Sequence, residues 1–151
     1  MRPIEILLVE DNPGDVRLTR EALIESRIEN NLSVVTDGAA AIDFLEQRGE
    51  YVGVALPDLV LLDLNLPKIS GHDVLRRIKN SDLLKRIPVV ALTTSYAQAD
   101  IDACYDEHVN CYIAKPMSYG PFMDVMRSVE EFWLNCVQLP YRPHQPWNAE
   151  P

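Results

Sequence analysis

Leu59-Val60-Leu61-Leu62-Asp63 is an unbroken apolar run closed by a carboxylate. Four apolar residues with no polar alternation suit a strand buried on both faces, as in the middle of a parallel sheet. Pro57-Asp58 precedes the run. Leu64-Asn65-Leu66-Pro67-Lys68-Ile69-Ser70-Gly71 follows it as a loop punctuated by Pro and Gly. The same construction recurs along the chain. Ile4–Val9 ends in Glu10-Asp11, Val89-Val90-Ala91-Leu92 ends in Thr93-Thr94, and Cys111–Ala114 ends in Lys115-Pro116. Parallel strands would bring all four endings to one edge of a single sheet, the edge where open α/β sheets bind ligands. Three carboxylates, a hydroxyl and one ammonium would then share a pocket. Such a pocket suits a hard cation and a transferable phosphoryl group.

The segments between these runs read as helices. Asn12 can cap a first helix and Pro13 fits its first position, with Val16, Leu18, Ala22, Leu23 and Ile28 as its apolar residues. Residues 33–35 form a weak second strand. Asp37 can cap a second helix, on which Ala40, Ala41, Phe44 and Leu45 make a stripe. Val74, Leu75 and Ile78 mark a third helix. A polar fourth helix covers about 98–107. Pro121 opens a fifth, with Phe122, Val125, Met126, Val129, Phe132 and Trp133 at helical spacing. Five alternating βα units predict an α/β fold with a doubly wound parallel sheet and right-handed connections. The domain is expected over residues 3–136. The Pro-rich stretch 137–151 is expected to be an extended or disordered tail.

Composition narrows the function classes. The chain has 151 residues, enough for one domain with a proper core. Its formal net charge of −9 argues against nucleic acid as a partner, since such binding needs basic surface. The three cysteines form no Cys-x-x-Cys pair and read as reduced thiols of a cytoplasmic protein. The histidines are scattered without metal-ligand spacing. No stretch is long enough to span a membrane, and none reads as a signal peptide.

Glu10-Asp11, Asp63, Thr93 and Lys115-Pro116, in that order and each closing its own run, resemble the receiver domain of two-component response regulators. The resemblance covers about residues 4–133. The segment Glu10-Asp11-Asn12-Pro13-Gly14-Asp15-Val16-Arg17-Leu18 and the Phe132-Trp133-Leu134 element are most similar to small stand-alone regulators paired with phytochrome histidine kinases. The resemblance implies a flavodoxin-like five-stranded sheet of order 2-1-3-4-5. Position by position, it makes Asp63 the phosphoacceptor. Asp11 becomes a direct Mg²⁺ ligand and Glu10 an acidic residue holding the ion through water. The Asn65 carbonyl completes the metal shell. Thr93 contacts the phosphoryl group after transfer, Lys115 pairs with it, and Tyr112 is the aromatic switch. In receivers the Lys-Pro bond at this position is generally cis, so a cis Lys115–Pro116 bond is expected; a trans bond would refute that carry-over. Glu10 replaces a common Asp, and Ser70-Gly71 replaces Asp-Gly; neither change disables the site.

The implied function is a response regulator phosphorylated on Asp63 by a sensor histidine kinase with Mg²⁺, rather than an enzyme acting on other molecules. It would assist its own dephosphorylation and change the face formed by the fourth helix, fifth strand and fifth helix. About a dozen residues follow the fifth helix, too few for an output domain. The Phe122–Trp133 stripe is mainly core, but an apolar surplus continues through Val137 and Leu139. It suggests a homodimer built on the last helix, with Tyr96, Phe122 and Trp133 as interface candidates. Two rivals stand beside this reading. Leu62-Asp63-Leu64-Asn65 is faintly like the nucleophile motif of haloacid dehalogenase-type phosphatases, which place their first Asp on the first strand. A flavodoxin-like cofactor binder would need a phosphate-cradling loop after the first strand, where this chain has carboxylates.

Overall fold

The computed structural model describes residues 2–140. Five parallel strands form one sheet: β1 (Ile4–Val9), β2 (Asn30–Val35), β3 (Leu59–Leu62), β4 (Val89–Thr93) and β5 (Cys111–Ala114). Their spatial order is β2-β1-β3-β4-β5. Five helices alternate with them: α1 (Pro13–Ile24), α2 (Gly38–Leu45), α3 (Gly71–Lys79), α4 (Gln98–Asp106) and α5 (Tyr119–Val129). The doubly wound sheet and the 2-1-3-4-5 order are therefore as expected.

Strand alternation divides the interior into two cores. Leu7, Val9, Val60, Leu62, Val89 and Ala91 face α2 and α3, meeting Ile42, Leu45, Val74, Leu75 and Ile78. Ile6, Leu8, Leu59, Leu61, Val90 and Leu92 face the other way, meeting Ala22, Leu23, Phe122, Met126 and Val129. Both layers are apolar, so β3 and β4 carry no polar side chain until they end, and β1 carries none between Glu5, near its start, and its end. Burying each large aliphatic side chain stabilises by roughly 1.5–3 kcal/mol.

Register places the strand ends. Val9 pairs with Leu62, so Glu10 and Asp63 emerge side by side. Thr93 pairs with Ala114, so Lys115 follows one residue beyond it on the neighbouring strand. Two helix starts are capped as anticipated. Asn12 accepts from the Asp15 N–H at 3.1 Å, and Asp37 from the Ala40 N–H at 2.7 Å.

Several boundaries differ from expectation. Strand β2 begins at Asn30, because Asn30 and Asn31 pair in register with Ile4 and Glu5 despite their polar side chains. Helix α1 ends at Ile24, so Ile28 packs on the second core from the connection to β2. Helix α5 begins at Tyr119, with Pro121 third in line. The first N–H groups of a helix have no internal partner, so proline costs no bond there. After Val129 the winding widens into a π-helical segment, Glu130–Cys136, closed by the Val137 N–H donating to Phe132 O at 3.0 Å. A single 3₁₀ turn at Gly49–Tyr51 was not anticipated. The expected tail lies outside the described residues beyond Pro140.

No peptide bond among the described residues is cis, so Lys115–Pro116 is trans and that carry-over is refuted. The lysine reaches the strand edge without it. Its backbone N–H donates to Thr93 O at 2.7 Å, which fixes the direction in which the chain leaves β5.

Candidate functional site

Glu10, Asp63, Thr93 and Lys115 are the charged or hydroxylic residues that the strands carry to one edge, and all four are buried. Their burial follows from the fold, because each is the first residue beyond, or the last within, a strand; β1, β3 and β4 end deeply buried, and β5, half-buried at the sheet edge, delivers Lys115 among them. Lys115 Nζ contacts Glu10 Oε1, Asp15 Oδ2 at 2.9 Å and Asp63 Oδ2 at 3.3 Å. The other Glu10 oxygen accepts from the Asn12 N–H at 3.1 Å. The other Asp63 oxygen accepts from the Asn65 N–H at 3.2 Å. Asn65 itself is exposed. A buried ammonium held by three carboxylates meets the condition that buried charges be paired.

The loop after β3 is held close by glycine. A Cβ on Gly71 would lie 2.2 Å from the Asp63 carbonyl oxygen, and one on Gly38 would lie 2.0 Å from the Ile69 carbonyl oxygen. The Gly71 N–H donates to Leu64 O at 2.9 Å. The starts of α2 and α3 are therefore clamped to the segment that presents Asp63.

Three carboxylates, those of Glu10, Asp15 and Asp63, contact one ammonium, and a fourth, Asp11, lies beside Glu10 and Asp63, so the cluster carries surplus negative charge. Burial, with Asp63 adding to it, pushes the Glu10 carboxyl up to about 7 despite the opposing pull of Lys115. Burial alone would lower the Lys115 ammonium, but its bonds to Glu10 and Asp15 outweigh that and raise it. The two shifts favour opposite protonation states of the pair. Contact with three carboxylates decides in favour of a charged Lys115, and the surplus charge then falls on Glu10.

The arrangement fits a hard divalent cation. Oxygens of Glu10, Asp11 and Asp63 lie within 4.8 Å of one another, and Asp11 is exposed at the mouth. Carboxylate oxygens are the donor type that Mg²⁺ takes. Thr93 Oγ1 is buried and has no hydrogen-bond partner among the described residues. An orphaned hydroxyl at this edge is what a site for an oxygen-rich group would contain.

Tyr112 packs against the first core, and its hydroxyl donates to Ser95 O at 3.0 Å. Tyr96 is 69% exposed in the loop before α4. Trp133 is half-buried against the second core, edge-on to Phe132 at 5.3 Å between centroids. Phe122 requires correction as an interface candidate. It is 3% exposed, because its place in the first turn of α5 turns it onto the sheet. Phe132, 53% exposed, presents the apolar surface instead. Asp15 was not singled out from sequence; its one signal was its place in the first helical turn, four residues beyond Asp11.

Residues 6–127 match the family model of the response regulator receiver domain. Response regulator Rcp1 of Synechocystis sp. is 49% identical over 138 residues, covering 91% of this chain and 94% of Rcp1. The crystal structure of its Mn²⁺-bound form superposes with a TM-score of 0.90 at 48% identity, covering 92% of this chain and all of that one. The phosphorylated cyanobacterial phytochrome response regulator RcpA superposes with a TM-score of 0.91 at 47% identity, covering 93% of this chain and all of that one.

Proposed function

The chain belongs to the response regulator receiver domain family, and on that premise we propose that it accepts a phosphoryl group on Asp63 from a phosphohistidine of a sensor kinase. The observation that carries this reading is the meeting of Asp63, Lys115 and the unpartnered Thr93 hydroxyl at one strand edge. A carboxylate oxygen of Asp63 attacks phosphorus. The phosphorus–nitrogen bond breaks as the oxygen–phosphorus bond forms, and the imidazole leaves with the bonding pair. Asp63 is placed for this by the Asn65 N–H on its other oxygen. Lys115 supplies a fixed positive charge beside the incoming group. Mg²⁺, held by Glu10, Asp11 and Asp63 with the Asn65 carbonyl, would neutralise charge between the carboxylate and the phosphoryl oxygens. Hydrolysis of the aspartyl phosphate by water returns the carboxylate and inorganic phosphate, which resets the protein.

The readout runs through Thr93 and Tyr112. The Thr93 hydroxyl turns to the phosphoryl oxygens, which favours the inward conformer of Tyr112, its hydroxyl on Ser95 O, and so changes the face of α4, β5 and α5. The kinase partner is of phytochrome type, a reading supported by the likeness to RcpA. The protein forms a homodimer through the end of α5 and the π-helical segment, where Phe132 leaves apolar surface open.

Intact mass after incubation with Mg²⁺ and acetyl phosphate tests the chemistry. One Mg²⁺-dependent phosphoryl adduct is expected, absent in Asp63→Asn and in EDTA. Failure to form it, together with failure to bind beryllofluoride, would overturn the reading.

A further inference from the structure

Outside the carboxylate cluster lies a second polar network that the chemistry above does not use. His72 is the second residue of α3, directly after Gly71, whose approach clamps the Asp63 loop. Its Nε2 meets Asp100 Oδ1, in the first turn of α4, at 3.2 Å. Its Nδ1 lies 3.8 Å from Sγ of Cys104, which is fully buried. Ser95 Oγ donates to the other Asp100 oxygen at 2.5 Å and accepts from the Ala97 N–H at 3.2 Å. The Ser95 carbonyl accepts from the Tyr112 hydroxyl at 3.0 Å.

The donors and acceptors form one consistent chain. Burial first, and Asp100 second, push the Cys104 thiol up to about 11, so it stays S–H and donates to Nδ1. Nε2 then carries the ring proton and donates to Asp100, which accepts from Ser95 on its other side. Helix α4 has no side-chain cap from Ala97, its N-cap residue. Ser95 and Asp100 instead tie the approach segment to the first turn of α4, and His72 ties them to α3. The loop that begins at Thr93 is thus fastened at both ends: by β4 on one side, by His72 through Asp100 on the other.

We propose that His72 and Asp100 are positioning residues of the switch, locking the start of α4 to the start of α3 so that the Ser95 carbonyl stays where Tyr112 reaches it. The inference rests on the reading of Thr93 and Tyr112 as the switch pair. Without the lock, the segment 94–97 samples conformers that do not present Thr93 and Tyr112 together. A phosphoryl group must then select a smaller population, and its apparent affinity falls by that fraction.

NMR titration of the full chain with beryllofluoride and Mg²⁺ tests this, with Tyr112 ring and Ser95 amide signals as readouts. His72→Leu and Asp100→Asn are each expected to weaken beryllofluoride binding by about threefold to tenfold, the loss of one hydrogen bond in a coupled chain. Both should shift the Tyr112 signals before any ligand is added, with Mg²⁺ affinity unchanged. The double variant should be no weaker than either single one, because the residues act as a pair. His72→Gln, which keeps a donor for Asp100, should restore most of the affinity. Unchanged Tyr112 signals and affinity in both single variants would overturn the proposal. So would a His72→Gln variant as weak as His72→Leu, since the role would then be steric. Wild-type protein that fails to bind beryllofluoride would overturn the receiver chemistry itself, an outcome separate from either.

Discussion

Thr93 carries a hydroxyl in a place where the described residues offer it no partner. An unsatisfied buried polar group costs roughly 1–3 kcal/mol. Thr93→Val keeps the shape and removes that cost. We expect it to raise stability in urea by about 1 kcal/mol, while the phosphoryl adduct still forms and the Tyr112 response is lost. An undiminished Tyr112 response in the variant would separate Thr93 from the switch. Glu10 makes a prediction of the other kind. A carboxyl raised from 4.5 to about 7 stabilises the fold at low pH, where both states are protonated only below its ordinary value. That contribution is lost as pH rises through the raised value, since the folded cluster then holds a charge it resists. The metal-free protein should therefore lose stability between these limits, and a divalent cation should restore it. The rise in Tm on adding Mg²⁺ is expected to be larger at about pH 8 than at about pH 5.5. Equal rises at both would show that surplus charge on Glu10 is not what the cation relieves.

At the scale of elements, the site depends on how tightly helices close on the strand ends. Gly38 and Gly71 stand where a methyl group would meet backbone carbonyls at 2.0 and 2.2 Å. Backbone cannot yield as a flexible side chain does. Gly71→Ala and Gly38→Ala should each cost about 2 kcal/mol or more, read as a lower Tm, and Gly71→Ala should also slow phosphorylation by displacing the Asp63 loop. A variant with wild-type Tm would mean that the close approach is not maintained in solution. Much of this scale was open to reading from sequence. Each central strand announces itself as an apolar run, and Asp63, Thr93 and Lys115 are visible because each interrupts or closes one. Asn30 and Asn31 hid the start of β2, because an edge strand tolerates polar side chains that a central strand excludes. Asp15, Ser95 and Asp100 were hidden for another reason. They act through partners on other elements, and no local pattern encodes such a partner. Asp15 and Lys115 are 100 residues apart in the chain. The trans bond at Lys115–Pro116 was misjudged because the expectation came from resemblance, and nothing local required it.

For the whole molecule, the two cores leave apolar surface open beyond the C-terminal end of the last helix. Phe132 and its edge-on contact with Trp133 form that surface. Phe132→Glu is expected to weaken self-association by about tenfold or more in sedimentation, with phosphorylation of Asp63 intact. A monomeric mass for the wild type, with and without phosphorylation, would refute the dimer. The separation along the chain of the groups that meet at the strand edge has a further consequence. Lys115 lies 105 residues beyond Glu10 and 52 beyond Asp63. Chains are made from the N-terminus and fold largely in that direction. While β5 is still unmade, Glu10 and Asp63 face each other with no cation from the protein between them. The acceptor thus emerges from the ribosome well before it can be used. On the proposed function, a half-made copy is deaf to the kinase, and only finished molecules can compete for its phosphate.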